Sequence, residues 1–290
     1  GIGVVVVDQL PPATVLEPQF DGRASAIAFA SRRMFSALGF DSGLEGVVQP
    51  ITEILVSDGD LLNGAAPFFL HFDHSEIGSA PLGEMIENRH TRFALHSAAA
   101  RTPGLMLIAP SKVTSIETNA RAATLTLSTG QKIEAVLCVA ADGRESPLRA
   151  QMGIRSTAWS YDQTAIVATI AHERPHGGVA HELFLPAGPF AIRPLIGTRS
   201  SIVWTERSAA APAFLRLGGE DFLAEVSKRF GDQWGALSLE GPRFSYPLSL
   251  QLAADYVAER FVLAGDSAHG VHPIAGQGLN LGLRDVAALA

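Results

Sequence analysis

The chain has 290 residues, of which 47% are hydrophobic and 18% charged, so it has enough apolar surface for a sizeable core and is expected to fold throughout. Its length predicts one large domain or two closely packed ones. The net charge of −7 and the lack of any run of five or more lysines and arginines argue against a nucleic-acid partner.

The cysteine content and the hydropathy bear on location. The single cysteine, Cys138, cannot form an internal disulfide and lies in an apolar run, which favours a core position and a reducing compartment such as the cytoplasm. No segment approaches the roughly 18 to 20 apolar residues that cross a bilayer, and the N-terminus lacks a signal-peptide pattern. The mean hydropathy of +0.20 suits a protein that handles apolar substrates or touches a membrane surface.

The first half of the chain alternates short apolar runs with helical patterns, which predicts an α/β architecture with parallel strands joined by helices. The first strand is predicted at residues 4–8, with Val4–Val7 buried. Helices are predicted at residues 24–38, ending at Gly39, and at 82–101. Further strands are predicted at residues 113–116, 123–127 and 133–141, and the last of these should be central in its sheet.

The second half begins with four alternating segments between residues 164 and 204, spaced as in an antiparallel sheet. A short helix is predicted at residues 220–230 and a further strand at 243–250. Residues 261–265 return to the pattern of a parallel strand. The pattern predicts one domain from residues 1–60, 82–158 and 251–290, with a second, β-sheet domain from 61–81 and 159–250 inserted in it.

Both ends of the sequence bear on completeness. The chain opens directly on the strand Val4–Val7, and a helix that begins near Gly278 is still apolar at the last residue. We therefore expect a fragment, truncated at both ends.

The most specific chemical signal is the strand FVLAGD followed by SAHGVHPIAGQGLNLGLRD. Asp266 ends the strand, and a glycine-rich turn then leads into a helix N-terminus, which attracts anions and dipoles. Gly276 and Gly278 have no side chain to block a flat ring, and the amides near Gly278, Leu279 and Asn280 are placed to face its polar edge. A tight structural turn would explain the glycines but not the whole set.

The strand end VVVVD is a weaker signal. Asp8 would lie at the tip of the second strand of a doubly wound sheet, where a carboxylate can accept hydrogen bonds from a ribose. An ordinary polar strand end explains it equally well. The glycine-rich turn that should precede such a strand is not in the sequence.

These motifs carry a family resemblance. GDSAHGVHPIAGQGLNLGLRD resembles the GD motif of FAD-dependent aromatic hydroxylases, and VAADGRESPLR resembles their DG motif. FDGRASAIA, the ENR of IENRHTRFAL, FLPAGPFAIRPL and SSIVWTE occur in the order found in ubiquinone-biosynthesis hydroxylases, particularly the 2-octaprenyl-6-methoxyphenol hydroxylase type. The likeness covers nearly the whole chain. It implies a Rossmann-like FAD-binding domain with an inserted antiparallel β-sheet substrate domain, the aromatic hydroxylase fold.

The resemblance implies FAD and NAD(P)H as cofactors, and it assigns residues to them. Asp266 would hold the ribitol chain, and Asp8 the adenosine ribose. Arg23 would reach the pyrophosphate or the flavin, although a surface arginine beside a turn is an alternative, and Arg89 would contact the flavin side. Asp142 and Gly143 would serve FAD and the nicotinamide donor. The pyrimidine edge of the flavin ring would be lined by Pro273, Gly276, Gln277, Gly278, Leu279 and Asn280.

The implied reaction is hydroxylation of the aromatic ring of a polyprenylated phenol in ubiquinone biosynthesis, with O2 activated as a flavin C4a-hydroperoxide and no conspicuous acid-base pair. The implied protein is cytoplasmic, with possible peripheral association with the inner face of the membrane or a ubiquinone-biosynthesis complex. Phe184, Phe190 and Leu195 are candidates for the pocket of the polyprenyl tail or for ordinary core. Two alternatives are a same-fold hydroxylase of a small soluble aromatic and a truncated, non-catalytic binding scaffold.

Some residues fit other chemistry or depart from the family pattern. His269 and His272 stand at i and i+3, but no third ligand has suitable spacing, so a metal site is disfavoured. No nucleophile elbow of the G-x-S-x-G kind is followed by an acid and a histidine, which disfavours a serine hydrolase. Arg193 introduces a charge into FAIRPL, where the family pattern is apolar. Pointing inward it would alter substrate preference, and pointing outward it would mean little.

Overall fold

The computed structural model describes residues 1–17, 22–62 and 64–290. Its strands are β1 Val4–Val7, β2 Ala24–Ala28, β3 Val48–Ile51, β4 Glu53–Asp60, β5 Gly64–Asp73, β6 Gly83–Glu87, β7 Leu105–Ile108, β8 Val113–Thr118, β9 Ala123–Leu127, β10 Lys132–Ala135, β11 Cys138–Ala140, β12 Ser156–His172, β13 Val179–Leu185, β14 Gly188–Leu195, β15 Arg199–Arg207, β16 Leu237–Ala253, β17 Val257–Ala258, β18 Phe261–Leu263 and β19 His269–Gly270. The α-helices are α1 Pro12–Val15, α2 Phe29–Ala37, α3 Asn88–Arg101, α4 Pro147–Gln151, α5 Ala211–Arg216, α6 Gly219–Phe230 and α7 Gln277–Leu289.

The largest sheet has eight strands in the order β19-β16-β12-β15-β14-β13-β4-β5. All its neighbours are antiparallel except the parallel pair β13 and β4, so the predicted antiparallel sheet is confirmed. Helices α5 and α6 cover one face. Their apolar side chains interdigitate with those of the central strands in a core that contains Ile166, Phe190, Ile192, Trp204, Phe222 and Phe230.

The second face of this sheet packs on a smaller sheet with the order β2-β6-β3. Leu195, on β14, is buried there with Ile51 and Met85. Because side chains alternate across a strand, the odd-numbered residues of β14 face the smaller sheet, whereas Phe190 and Ile192 face α6. The strand therefore separates two cores, and Phe190 and Leu195 each belong to one of them.

Parallel strands also occur as predicted. Strand β1 pairs with β7 and β11 pairs with β18, both in parallel register. The expected burial of β1 is wrong, because Val4, Val5 and Val6 are 45%, 44% and 40% exposed. Among the described strands, β1 has β7 as its single neighbour, which leaves these valines partly uncovered.

Both long helices predicted in the first half begin later than expected. Residues 24–28 and 83–87 form strands β2 and β6, which pair with each other, and α2 and α3 follow directly. The helical spacing of apolar residues is real from Phe29 and Asn88 onward. Upstream, pairing between two segments about sixty residues apart outweighs local helix propensity, because it buries Ile27, Met85 and Ile86.

Two further segments differ from the sequence expectation. Residues 133–141 contain two strands, since β10 pairs with β9 whereas β11 pairs with β18. The central strand of that second sheet is β18, and β11 lies at its edge. Strand β4, predicted within the cofactor-binding domain, pairs with β13 in the large sheet. The division of the chain into two domains remains a prediction.

Candidate cofactor site

The site forms where two adjacent parallel strands end. Strands β11 and β18 are paired so that Ala140 lies opposite Leu263, and both therefore reach the same edge of their sheet. Asp142 follows the first strand and Asp266 the second, and both side chains are exposed. In open α/β sheets, ligands bind beyond the carboxyl ends of parallel strands. The DG and GD motifs are thus brought together, as that rule requires.

The loop that carries Asp266 packs directly on helix α7. Gly265 has a φ of +64°, and a Cβ added to Gly282 would lie 3.1 Å from the Cα of Gly265. The backbone N–H of Gly265 also donates to Oδ2 of Asp285, at 2.8 Å. Glycine at both positions permits this close approach of backbones. The loop that carries Asp266 therefore lies against the second and third turns of α7.

Three side chains that the sequence analysis did not single out hold this loop. Ser267 Oγ lies 2.6 Å from the carbonyl oxygen of Ala140, and Arg149 donates to the carbonyl of Ser267 at 2.7 Å. Asp285 also bonds Nε2 of His269 at 2.7 Å. Arg149 and Asp285 lie within the quoted DG and GD motifs, so their presence there was the available signal. The bonds link both motifs into one network.

Helix α7 begins with an open first turn. Ala275 and Gly276 have φ angles of 53° and 62°, so two successive residues adopt the left-handed conformation before the helix starts at Gln277. The first amides of a helix have no partner within it. A Cβ built on Gly278 meets no heavy atom within 4 Å, which leaves space beside these amides. This open, positively polarised end fits the carbonyl edge of a flavin ring.

Asn280 has a role that the sequence did not predict. Its side chain is buried, and Oδ1 accepts the N–H of Ala28 at 2.9 Å. Nδ2 donates to the carbonyl oxygens of Ala26 at 2.8 Å and Gly276 at 3.0 Å. The amide thus continues the hydrogen bonding of edge strand β2. A contact of Leu279 or Asn280 with the ring edge stays a prediction and would be made by backbone atoms.

The ENR segment lies beside Arg23; Phe20 and Asp21 of the FDGRASAIA motif lie outside the described residues. The backbone N–H of Asn88 donates to the carbonyl of Arg23, whose side chain is exposed. Arg89 Nη2 lies 2.7 Å from the buried carboxylate of Glu87, which Arg199 also contacts at 3.1 Å. Glu87 therefore links this segment to the large sheet. Arg89 is held by an ion pair, and cofactor contacts of Arg23 and Arg89 remain predictions.

Asp8 lies on the separate sheet of β1 and β7. Its Oδ1 accepts the N–H of Leu10 at 2.8 Å, and its backbone bonds Ile108 and Ser111. These contacts fix the strand end but stay local. The role of Asp8 toward a ribose stays a prediction.

The DG turn is open to solvent. Asp142 Oδ2 accepts the N–H of Leu148 at 3.2 Å, which ties the turn to helix α4. Gly143 has a φ of +87°, and a Cβ there would meet no atom within 4 Å. Arg144 donates to Oγ of Ser249 at 2.8 Å, so its guanidinium is fixed on strand β16. The turn leaves one carboxylate oxygen and open space for a ligand.

Within the described ranges, no group of three or more potential metal ligands occurs. His269 is bonded to Asp285, and His272 makes an edge contact with the ring of Tyr161. Burial and, secondarily, the nearby charge of Asp142 raise the pKa of Cys138 to about 11, so its thiol stays protonated. No helix of the described chain is long and apolar enough to cross a bilayer.

Residues 1–290 match the protein family described as FAD binding domain. The chain belongs to this family. It is 49% identical to the ubiquinone hydroxylase UbiL of Rhodospirillum rubrum, over 100% of this chain and 66% of that protein. It is 31% identical to the 3-demethoxyubiquinol 3-hydroxylase of Escherichia coli, over 100% of this chain and 73% of that enzyme. The chain thus spans about two thirds of the length of these relatives. The predicted resemblance to ubiquinone-biosynthesis hydroxylases is confirmed.

Solved structures confirm the predicted fold. PqsL of Pseudomonas aeruginosa superposes with a TM-score of 0.81 at 19% identity, covering 99% of this chain and 78% of that one. The p-nitrophenol 4-monooxygenase PnpA of Pseudomonas putida gives a TM-score of 0.78 at 18% identity, with coverage of 99% and 78%. At such identities the likeness concerns the fold alone. The FAD-binding chain therefore has the architecture expected from its motifs.

Proposed function

We propose that the chain is the FAD-binding part of an NAD(P)H- and O2-dependent hydroxylase that acts on the aromatic ring of a polyprenylated phenol in ubiquinone biosynthesis. The observation that carries the proposal is the open first turn of α7, the helix whose next turns pack against the Asp266 loop. It is an electropositive, glycine-lined edge of the right chemistry for a flavin ring. The hydroxylase relatives at 49% and 31% identity support the substrate class.

The chain's own contribution is binding and orientation, since bound FAD would supply the activation of dioxygen. Asp266 would accept hydrogen bonds from the ribitol hydroxyls, and Asp142 with Gly143 would border both cofactors in turn. The edge of the ring would lie against the turn and first helical residues Pro273, Gly276, Gln277, Gly278 and Leu279, together with the backbone of Asn280. Asp8, Arg23 and Arg89 would contact the ribose, the pyrophosphate and the flavin side, respectively. No side chain of this chain is assigned a proton-transfer step.

The substrate would bind beside the smaller sheet, on the face of the large sheet that carries the half-buried Arg193, because helix α6 fills the opposite face. Phe190 and Leu195 are 0% and 2% exposed within the two cores, so they support the sheet rather than line a pocket. Phe184 is 37% exposed and remains a candidate for contact with the polyprenyl tail.

The cofactor proposal is tested with Gly278→Val in the full-length protein. The valine side chain would occupy the space beside the first amides of α7, so we expect FAD to bind at least roughly tenfold more weakly, a loss of about 1.4 kcal/mol or more. Gly219→Val is the matched control, because Gly219 also lies in the first turn of a helix with no atom within 4 Å of a built Cβ. Flavin fluorescence titration measures both. Equal affinities in the two variants would contradict the proposed site.

The substrate class is tested with the wild-type full-length protein. NAD(P)H oxidation should rise on addition of a polyprenylated phenol and much less on addition of 4-hydroxybenzoate. The reverse preference would favour a hydroxylase of small soluble aromatics. A purified protein that is colourless and takes up no FAD on reconstitution would favour a non-catalytic scaffold.

We also propose cytoplasmic location with peripheral contact to a lipid surface, which would give access to a polyprenylated substrate. Strand β5 supports this, because Phe68, Leu70 and Phe72 are 88%, 63% and 50% exposed and lie on one side of an edge strand. Asp58 and Asp73 lie on the same hairpin, so uncharged lipid should be favoured over anionic lipid. In flotation with phosphatidylcholine vesicles, Phe68→Ser with Leu70→Ser should reduce binding about tenfold. Wild-type protein that stays unbound would refute the proposal.

A further inference from the structure

Arg193 is a charged residue near the end of strand β14, on the sheet face that turns away from helix α6. Phe190 and Ile192 are buried in the core beneath that helix, whereas Leu195 packs with Met85 on the opposite face. Side chains alternate along a strand, so Arg193 shares the face of Leu195. The cation therefore lies on the side of the sheet that meets the candidate cofactor site.

From this face Arg193 reaches the turn that precedes helix α7. Its Nη2 donates a 3.1 Å hydrogen bond to the carbonyl oxygen of Pro273, which also accepts the N–H of Gly276 at 3.0 Å. The intervening Ala275 has a φ of 53°, a left-handed conformation that costs free energy for a residue with a side chain. Such a conformation persists where surrounding contacts hold it, and the Arg193 bond is one of those contacts.

Glu182 provides the charge balance for this arginine. Strands β13 and β14 place Glu182 opposite Ala191, so Glu182 and Arg193 are diagonal neighbours on one face. Burial raises the pKa of Glu182, and the charge of Arg193 opposes that shift. Burial likewise lowers the pKa of Arg193, and the charge of Glu182 opposes that shift. The carboxylate thus stabilises a guanidinium that the apolar surroundings disfavour.

We infer that Arg193 is a positioning residue that fixes the Pro273 carbonyl and so sets where the turn 273–276 lies relative to the large sheet. The inference rests on the proposed function, in which the first turn of α7 borders the FAD ring and the sheet face receives the substrate. Asn280 ties the same turn to β2 from the other side. The turn is therefore held between two sheets, and Arg193 is its connection to the substrate-side sheet.

The test compares Arg193→Leu and Arg193→Lys in the full-length protein with the control Arg207→Leu. Arg207 is an exposed arginine at the end of β15. Three quantities are measured: amide hydrogen exchange in residues 273–280, the visible circular dichroism of bound FAD, and the product formed per NAD(P)H consumed. Arg193→Leu should exchange at least threefold faster in that segment, change the flavin signal, and lower the product ratio at least threefold. Arg193→Lys, whose side chain can also donate to the carbonyl, should show smaller changes in all three quantities. Arg207→Leu should leave all three at their wild-type values.

Unchanged exchange and an unchanged flavin signal in Arg193→Leu would overturn the inference. If that variant does not fold, Arg193→Gln replaces it, since its shorter side chain withdraws the donor while keeping polarity. A wild-type protein that takes up no FAD would refute the proposed function. Hydrogen exchange would still decide the role of Arg193 in that case, because its bond to Pro273 joins two residues of the chain itself.

Discussion

At the scale of single residues, Asn280 shows how one side chain joins a binding loop to the rest of the fold. Strand β2 lies at the edge of its sheet, and its outer N–H and carbonyl groups would lack strand partners. The amide of Asn280 bonds both Ala28 and Ala26 and also the turn residue Gly276. A buried asparagine thereby orders the turn and completes the edge of a strand more than two hundred residues away.

We predict that Asn280→Ala destabilises the protein by about 2 kcal/mol, because removal of one partner leaves buried donor and acceptor groups unsatisfied. The matched control is Asn119→Ala. The amide oxygen of the exposed Asn119 accepts two backbone N–H groups within a hairpin turn, so Asn119→Ala should lose less than about 1 kcal/mol of stability. Urea unfolding followed by far-ultraviolet circular dichroism measures both. Equal losses of unfolding free energy in the two variants would show that the bonds of Asn280 to β2 stabilise the protein no more than hydrogen bonds within an exposed turn do.

At the scale of elements, the sequence predicts those segments whose pattern is long or ends at a clear turn. Strand Ala123–Leu127 and helix Gly219–Phe230 occur within one residue of the predicted bounds. Strands β2 and β6 were missed because each is five residues long and runs directly into a helix, so that the apolar spacing merges. Their identity depends on pairing with each other, which no local pattern contains.

The candidate site likewise has one part that the sequence predicted and another that it could not predict. The GD segment is contiguous in sequence, so its carboxylate, its glycines and its helix start could be recognised together, and the structure places Asp266 against α7. Arg193 could be noticed only as a departure from pattern. Its bond to Pro273 joins residues eighty positions apart, and it depends on which face of β14 meets the loop. That face follows from strand register, which the sequence left open.

At the scale of the whole molecule, stability should depend on pH through histidines in the large sheet. His172 and His181 pack against the ring of Trp234, with ring centroids 4.9 and 5.5 Å away. Burial is the main cause that lowers the pKa of each, and the charge of Glu53 partly opposes the shift for His181. Both rings therefore resist protonation in the folded state more than in the unfolded chain.

The sign of the effect follows from that difference in proton binding. As the pH falls below the ordinary histidine pKa of 6.5, His172 and His181 bind protons more readily in the unfolded chain than in the folded protein. The free energy of unfolding therefore decreases until the pH reaches the lowered pKa values of the folded state. Each such proton contributes at most about 1.4 kcal/mol per pH unit. Urea midpoints should therefore be lower at pH 5.5 than at pH 7.5. The half-buried Glu182, whose pKa is raised, acts in the opposite direction, so the histidine contribution must be isolated by difference.

The contribution of His181 is obtained by comparing the wild-type protein with His181→Gln, because glutamine keeps a polar side chain of similar size that does not titrate. The free energy of unfolding of this variant should change less steeply between pH 7.5 and 5.5 than that of the wild-type protein, whereas groups common to both, including Glu182, cancel. The control His71→Gln replaces a histidine that is 40% exposed and bonded to Glu53 on strand β4. In His71→Gln, the free energy of unfolding should still decrease between pH 7.5 and 5.5 about as much as in the wild-type protein. Parallel pH curves for wild type and His181→Gln would mean that burial beside Trp234 does not govern acid stability.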